Sequence, residues 1–175
     1  NEQQKVVVAG ITGHMDAVID GHVIDVKSAS ATAFKKFDQG SLVFDDPFGY
    51  MHQIAAYSEA VEGNKGSGFL AMNKVDGKLA LFRPDPDFLP DTQERVDYLK
   101  EALASDTPPE RCYEEVTESS GNKKLPMGCV FCSFKKECWK DANNGAGLRG
   151  FGYSFGNVYL THVEKAPRVG EVDVE

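Results

Sequence analysis

Short apolar runs punctuated by Gly and Asp, with no long helical period, set the rhythm of this 175-residue chain. Residues 5–9 read as a strand. Residues 11–19 and 22–28 read as two more, joined at Asp20-Gly21, a pair that favours the tight two-residue turn of a hairpin. "ATAFKKF" suits a short helix and "GSLVFDDP" a loop. In "FGYMHQIAAYSEAVEG" the residues Met51, Ile54, Ala55, Ser58 and Val61 recur at helical spacing, and Gly63 supplies a stop. A second hairpin turns on Asp76-Gly77 within "GSGFLAMNKVDGKLALFRPD". "DTQERVDYLKEALAS" reads as an amphipathic helix started by Asp91. A cysteine-bearing stretch and a Gly/Asn-rich link at 143–150 then lead to a last strand pair around "YSFGNVYLTHVEKA". Strands interspersed with helices predict a mixed α/β, or α+β, core.

The register of the first hairpin raises a question of charge. A two-residue turn at Asp20-Gly21 pairs Ile19 with His22, Val18 with Val23 and Ala17 with Ile24. Continued, that ladder sets Asp16 opposite Asp25 and His14 opposite Lys27. Alternation then puts His14, Asp16, Val18, Val23, Asp25 and Lys27 on one face. Met15, Ala17, Ile19, Ile24 and Val26 point the other way, into an expected apolar layer. Directly opposed side chains lie about 5 Å apart, so two carboxylates there repel. One pKa must rise, or a cation must sit between them. A hard divalent ion such as Mg2+ or Mn2+ takes oxygen ligands, and two carboxylates with a backbone carbonyl make a suitable cradle. Lys27 would stand beside such an ion, placed to position or deprotonate a water that attacks a phosphodiester. The plainer alternative is a pair of solvent-facing acids neutralised by Lys27. On the helix that follows, Gln53 and Tyr57 are four apart and share a face beside the apolar stripe. From there Gln53 can hold the water or the lysine, and Tyr57 can reach a phosphate.

Composition sets wider bounds. The length suits one domain with a real core, and 41 % hydrophobic and 26 % charged residues are ordinary for a globular protein. There is no apolar run of membrane-spanning length and no signal peptide, so a cytoplasmic protein is expected. The chain starts at Asn1 directly before "KVVVAG", and a further N-terminal segment is expected before it. A net charge of −8 argues against a partner held by bulk electrostatics. The charge is uneven, however. Residues 38–118 hold 17 acids and 7 bases, whereas residues 123–149 hold 6 bases and 2 acids. The basic section can still meet a polyanion locally.

Taken together, "GHMDAVID", "VIDVKSAS" and "HQIAAY" resemble the active-site core of PD-(D/E)XK nucleases of the RecB type. That pattern has an aspartate on one strand, an acidic-x-lysine on the next, then a helix bearing Gln-x-x-x-Tyr. The resemblance implies a restriction-endonuclease-like mixed sheet flanked by helices over residues 1–108. It implies Asp16 and Asp25 as metal ligands, with the Val26 carbonyl as another. Lys27 becomes base or water-positioner, Gln53 an orienting residue, and Tyr57 a member of the same set. Ser28 and Ser30 fall where such enzymes contact the nucleic-acid backbone. Relatives usually carry an upstream acidic residue on a helix, and His14 is a substitute ligand at most.

All four cysteines lie in the last third: Cys112, Cys129, Cys132 and Cys138. The close spacing of the last three suits a turn that aims thiolates at one centre, and spacing leaves zinc and [4Fe–4S] both open. "GCVFCSFKKECW" resembles the cysteine segment of iron–sulphur members of the same nuclease group, among them phage exonucleases and nucleases of CRISPR adaptation and AddAB-type recombination. A metal-cluster module over 109–175, with C-terminal strands packed on the core, is therefore expected. Its lysines, Lys135 and Lys136 among them, would contact phosphates, and Phe131, Phe134 or Trp139 would stack on bases or pack round the cluster.

The expectation is a metal-dependent DNA exonuclease of phage or bacterial recombination, working on single- or double-stranded ends, with a helicase or recombination protein as a possible partner. The alternative is a non-catalytic nucleic-acid-binding module organised by zinc or iron–sulphur. A redox protein using the cluster would leave the hairpin acids and the Gln53/Tyr57 helix without a purpose.

Overall fold

A computed structural model describes residues 3–174. The described residues form a mixed α+β structure with three separate sheets. The chain divides into two compact units, Asn1–Pro108 and Pro109–Glu175.

In the first unit, β1 (Gln4–Val8) and β2 (Ile11–Met15) form an antiparallel hairpin that turns at Ala9 and Gly10, both at positive φ. β3 (Ala17–Ile19) then pairs with β4 (His22–Ala29) in the anticipated register, Ala17 to Ile24, Val18 to Val23 and Ile19 to His22. The turn is possible because Asp20 and Gly21 both adopt positive φ. The ladder stops at Ala17, so residues 11–19 are two strands and not one. His14 consequently pairs with Lys5 of β1 and not with Lys27.

After β4, α1 (Ala31–Asp38) begins with the Ser30 hydroxyl accepting the Ala33 N–H, and a 3-10 turn at Ser41–Phe44 occupies the expected loop. α2 (Tyr50–Glu59) starts behind Gly49, which sits at φ 73°, and Asp46 Oδ2 accepts the Met51 N–H in place of an ordinary cap. The chain returns as β5 (Ser67–Asn73), parallel to β4, and turns at Gly77 into the antiparallel β6 (Leu79–Phe82). α3 (Thr92–Ala104) is capped by Asp91, whose carboxylate accepts the Glu94 N–H.

The four-stranded sheet runs β3-β4-β5-β6, and α1 and α2 pack on it. Val23, Ala29, Phe69, Ala71 and Ala80 of the sheet meet Phe34, Phe37, Met51 and Ile54 of those helices in one core. The opposite face is apolar and only partly covered: Ile24 is buried there. Ile19 and Val26, expected in an apolar layer, are 53 % and 50 % exposed, and Leu79, Leu81 and Met72 are exposed beside them. Alternation identifies two faces; only helix placement decides which one is buried.

The second unit is a five-stranded sheet in the order β11-β9-β10-β8-β7, with β7 at Val116–Thr117, β8 at Lys123–Lys124, β9 at Arg149–Tyr153, β10 at Gly156–His162 and β11 at Glu171–Val172. β9 and β10 are the anticipated last strand pair. Between β8 and β9 lie three single-turn helices, α4 (Met127–Val130), α5 (Lys135–Cys138) and α6 (Ala142–Gly145), which carry the cysteine segment. Leu125, Trp139, Ala142 and Tyr159 form a small separate core there. No helix among the described residues is long and apolar enough to cross a membrane.

Candidate active site

Asp25 is the most unusual residue of the first unit. β4 points Val23, Asp25, Lys27 and Ala29 toward the helices, so the strand periodicity carries a carboxylate to a position only 2 % exposed. Burial of an unpaired carboxylate is heavily unfavourable, so a partner is required. Lys27, two residues on and on the same face, supplies it: Nζ lies 2.7 Å from Asp25 Oδ2. Among the described residues no donor other than this ammonium reaches Oδ2.

Lys27 is held from the helix side. Its Nζ donates to Gln53 Oε1 at 2.9 Å and stands 4.5 Å above the ring of Tyr50. Gln53 Nε2 donates in turn to Tyr57 Oη at 3.2 Å, the contact that four-residue helical spacing allows. Tyr57 is buried, so it acts as an anchor of this chain and not as a phosphate-reaching group. Its ring lies against Gly13 of β2, where an added Cβ would sit 2.7 Å from Cε1. That is the close approach a glycine inside a strand often marks.

Asp16 occupies the break between β2 and β3. Its Oδ2 accepts the Val26 N–H at 2.8 Å and its Oδ1 accepts from Gln3 Nε2 at 2.6 Å. The side chain thus replaces the missing strand partner, and the two carboxylates are not a face-to-face ladder pair. They still interact. Burial raises the pKa of Asp25 above the ordinary 3.8; Lys27 opposes the rise, and the charge of Asp16 adds to it. An extended residue turns its N–H and C=O to the same side, so the Val26 carbonyl is on the strand edge where Asp16 sits.

The residues suit a hard divalent cation in donor type: the carboxylates of Asp16 and Asp25 and the carbonyl of Val26, with one Asp25 oxygen buried against the Lys27 ammonium. Among the described residues no three His, Cys, Asp or Glu side chains form a ready metal group. The protein ligands would be the two aspartates and the Val26 carbonyl, with water completing the shell, as Mg2+ ordinarily requires.

The other anticipated residues divide. His14 is exposed on β2 and paired across from Lys5. Ser28 is exposed on β4, and Ser30 is committed as the α1 cap. Lys136 is exposed, whereas Lys135, anticipated at a phosphate, is 8 % exposed with Nζ 5.2 Å from the Tyr159 ring centroid. Sequence reasoning missed Tyr50 and Gly13. Tyr50 lies three residues before Gln53 and so on its helical face, and Gly13 was visible as a glycine inside a strand pattern.

In the second unit the four cysteines are free thiols, Cys129 and Cys132 partly buried and Cys112 and Cys138 exposed. Burial raises the Cys129 pKa, the Trp139 indole opposes this, and Cys138, Cys132 and Cys112 each add to it. The thiols are therefore within electrostatic reach of Cys129, on a loop-rich segment where Arg111 binds the Cys138 carbonyl and lies over the Trp139 ring. Their chemistry suits a soft metal or cluster; the side chains do not already converge on one point. Comparison with family models, curated proteins and solved structures returned no match.

The raised pKa of Asp25 has a signed consequence. The folded protein binds a proton that the unfolded chain has already lost, so this group favours folding below 3.8 and the benefit disappears as pH rises through the folded-state pKa. In EDTA, urea unfolding of Asp25→Asn and parent should therefore show a stability difference in favour of the variant that grows from pH 3.8 toward neutrality. A pH-independent difference, or one that shrinks with pH, contradicts this assignment.

Proposed function

We propose that Asn1–Pro108 is a restriction-endonuclease-like core and that the chain is a divalent-metal-dependent deoxyribonuclease of the PD-(D/E)XK type acting on DNA ends. The observation that carries this reading is the buried Asp25, with Asp16 and the Val26 carbonyl at its strand edge and Lys27 fixed beside it by Gln53 and Tyr50. A structural acid on a sheet has no need of a second carboxylate or of a lysine clamped from a helix. Asp16, Asp25 and the Val26 carbonyl would hold Mg2+ or Mn2+, which supplies charge stabilisation at the phosphate and a more acidic water.

The chain's own groups have separate tasks. Lys27 Nζ, held as an ammonium by Asp25 and Gln53, donates to the attacking water and orients it. Gln53 Oε1 keeps that ammonium in place, so Gln53 is a positioning residue acting through Lys27. Tyr57 fixes the Gln53 amide, and its packing on Gly13 ties α2 to β2. The buried setting around Asp25 excludes bulk water from one side of the reaction. Phosphodiester hydrolysis in a bacterial or phage-infected cell, beside a helicase or recombination protein, is the setting this chemistry suits.

In the second unit Cys112, Cys129, Cys132 and Cys138 are proposed to hold a [4Fe–4S] cluster, with zinc as the alternative occupant. The electrostatic influence of Cys138, Cys132 and Cys112 on Cys129, in a segment with so small a core, supports it. The role is structural: bonds from one centre to loop residues replace the apolar burial that this segment lacks.

End-labelled single- and double-stranded DNA incubated with Mg2+ or Mn2+ tests the hydrolytic reading. Parent protein should release label, EDTA should stop it, and Lys27→Ala should lower the rate by about 100-fold or more. Gln53→Ala should lose about tenfold and respond to pH differently from the parent. Label release unaffected by Lys27→Ala would remove the assignment. For the cysteines, anaerobically isolated protein should contain iron or zinc in a fixed ratio, lost in Cys129→Ser. A folded parent with neither metal would rule the centre out.

A further inference from the structure

A cavity of about 270 Å³ opens in the first unit between the β1–β2 hairpin, α2 and α3, and it shares Gln53 and Tyr57 with the candidate active site. Its walls are mainly apolar, from Val6 and Ile11 of the hairpin, Ala56 of α2, and Val96 and Leu99 of α3. Three features make it more than a packing gap. Thr92, the first residue of α3, is 7 % exposed, lines the cavity, and its Oγ1 has no hydrogen-bond partner. A hydroxyl buried without a partner is unfavourable unless something brings one. Arg95 and His52 also line the cavity, and among the described residues no Asp or Glu does, although the chain carries net −8. Finally, the Gln53–Tyr57 side chains that steady Lys27 form part of the cavity wall, so an occupant lies next to the reacting centre.

We propose that this cavity receives one base of the DNA strand being cut, with the apolar walls on its faces, Thr92 Oγ1 at its edge and Arg95 near its phosphate. This rests on the nuclease reading and adds a substrate class to it: the strand must be unpaired at that nucleotide, so a single-stranded or frayed end is the species engaged. An apolar cavity takes any base, and a hydroxyl both donates and accepts, so every base edge finds a partner. The site therefore selects a single strand without selecting a sequence. A base seated there anchors the strand, and the adjoining phosphodiester meets Lys27.

The test is binding of the full chain to a fluorescent single-stranded oligonucleotide in EDTA, where no metal-dependent cleavage occurs, using a set in which one abasic nucleotide is moved along the strand. The parent should lose about tenfold in affinity when the abasic nucleotide reaches one particular position, and little elsewhere. Ala56→Phe, which fills the cavity from α2, should bind the intact strand about tenfold more weakly and show no position dependence. Leu99→Trp, which fills it from α3, gives the same reading should Ala56→Phe fail to fold. Thr92→Val keeps the volume and should lose several-fold. A parent indifferent to every abasic position overturns the proposal, as does a filled variant that retains the parent's pattern. Free deoxynucleotide seated in the cavity, with strand binding unaffected by the filled variants, overturns it too. The two readings fail separately: a position-dependent loss in a protein that cleaves nothing removes the hydrolytic reading alone, and cleavage without an abasic penalty removes the base pocket alone.

Discussion

Burial of Asp25 is the constraint on which the first unit turns. A carboxylate shut between β4 and the helices is tolerated only with a counter-charge at hand, and the strand repeat puts Lys27 there. A lysine stem is flexible, so the ion pair alone would not define its head group. The Gln53 carbonyl and the Tyr50 ring do that, both from α2. The register of α2 against the sheet is thus fixed by polar contacts as well as by Met51 and Ile54 in the core. The entry into α2 follows the same logic: Gly49 at positive φ and the Asp46 carboxylate set where the helix begins, and so where Gln53 arrives.

Asp16 carries the second half of the arrangement. By accepting the Val26 N–H it ends the β3–β4 ladder and leaves a strand edge bearing a carboxylate where a backbone partner would otherwise lie. Geometry at this edge brings two acids near one another without forcing them into direct opposition. A metal-free protein can then keep both, one on a backbone amide and one on Lys27; burial chiefly, with the Asp16 charge adding to it, raises the pKa of Asp25. In the proposed reading, the cavity beside Gln53 extends the same design outward, from the candidate site to the strand it would hold.

Much of this was legible in the residues. Asp20-Gly21 specified the β3–β4 turn and its register, and helical spacing put Gln53 and Tyr57 on one face. Three features were hidden for physical reasons. A side chain that substitutes for a ladder partner leaves the apolar alternation intact, so the strand break at Asp16 was invisible. Exposure of Ile19 and Val26 depends on which sheet face the helices cover, a tertiary decision. Lys135 looked like one of several surface lysines, yet its long stem runs into the small core of the second unit and ends over Tyr159. Tyr57 shows the opposite limit: its partner was foreseeable, but its ring packs on Gly13, forty-four positions earlier in the chain.

The central claim, that the Asp16–Asp25 edge exists to hold a catalytic divalent ion, is tested most directly by crystals of the protein equilibrated with Mn2+ and measured for anomalous scattering. The account predicts one strong peak bound by both carboxylates and the Val26 carbonyl, with Lys27 Nζ still on Gln53 Oε1. Density with no peak at that edge, and Asp25 still closed on Lys27, would contradict it.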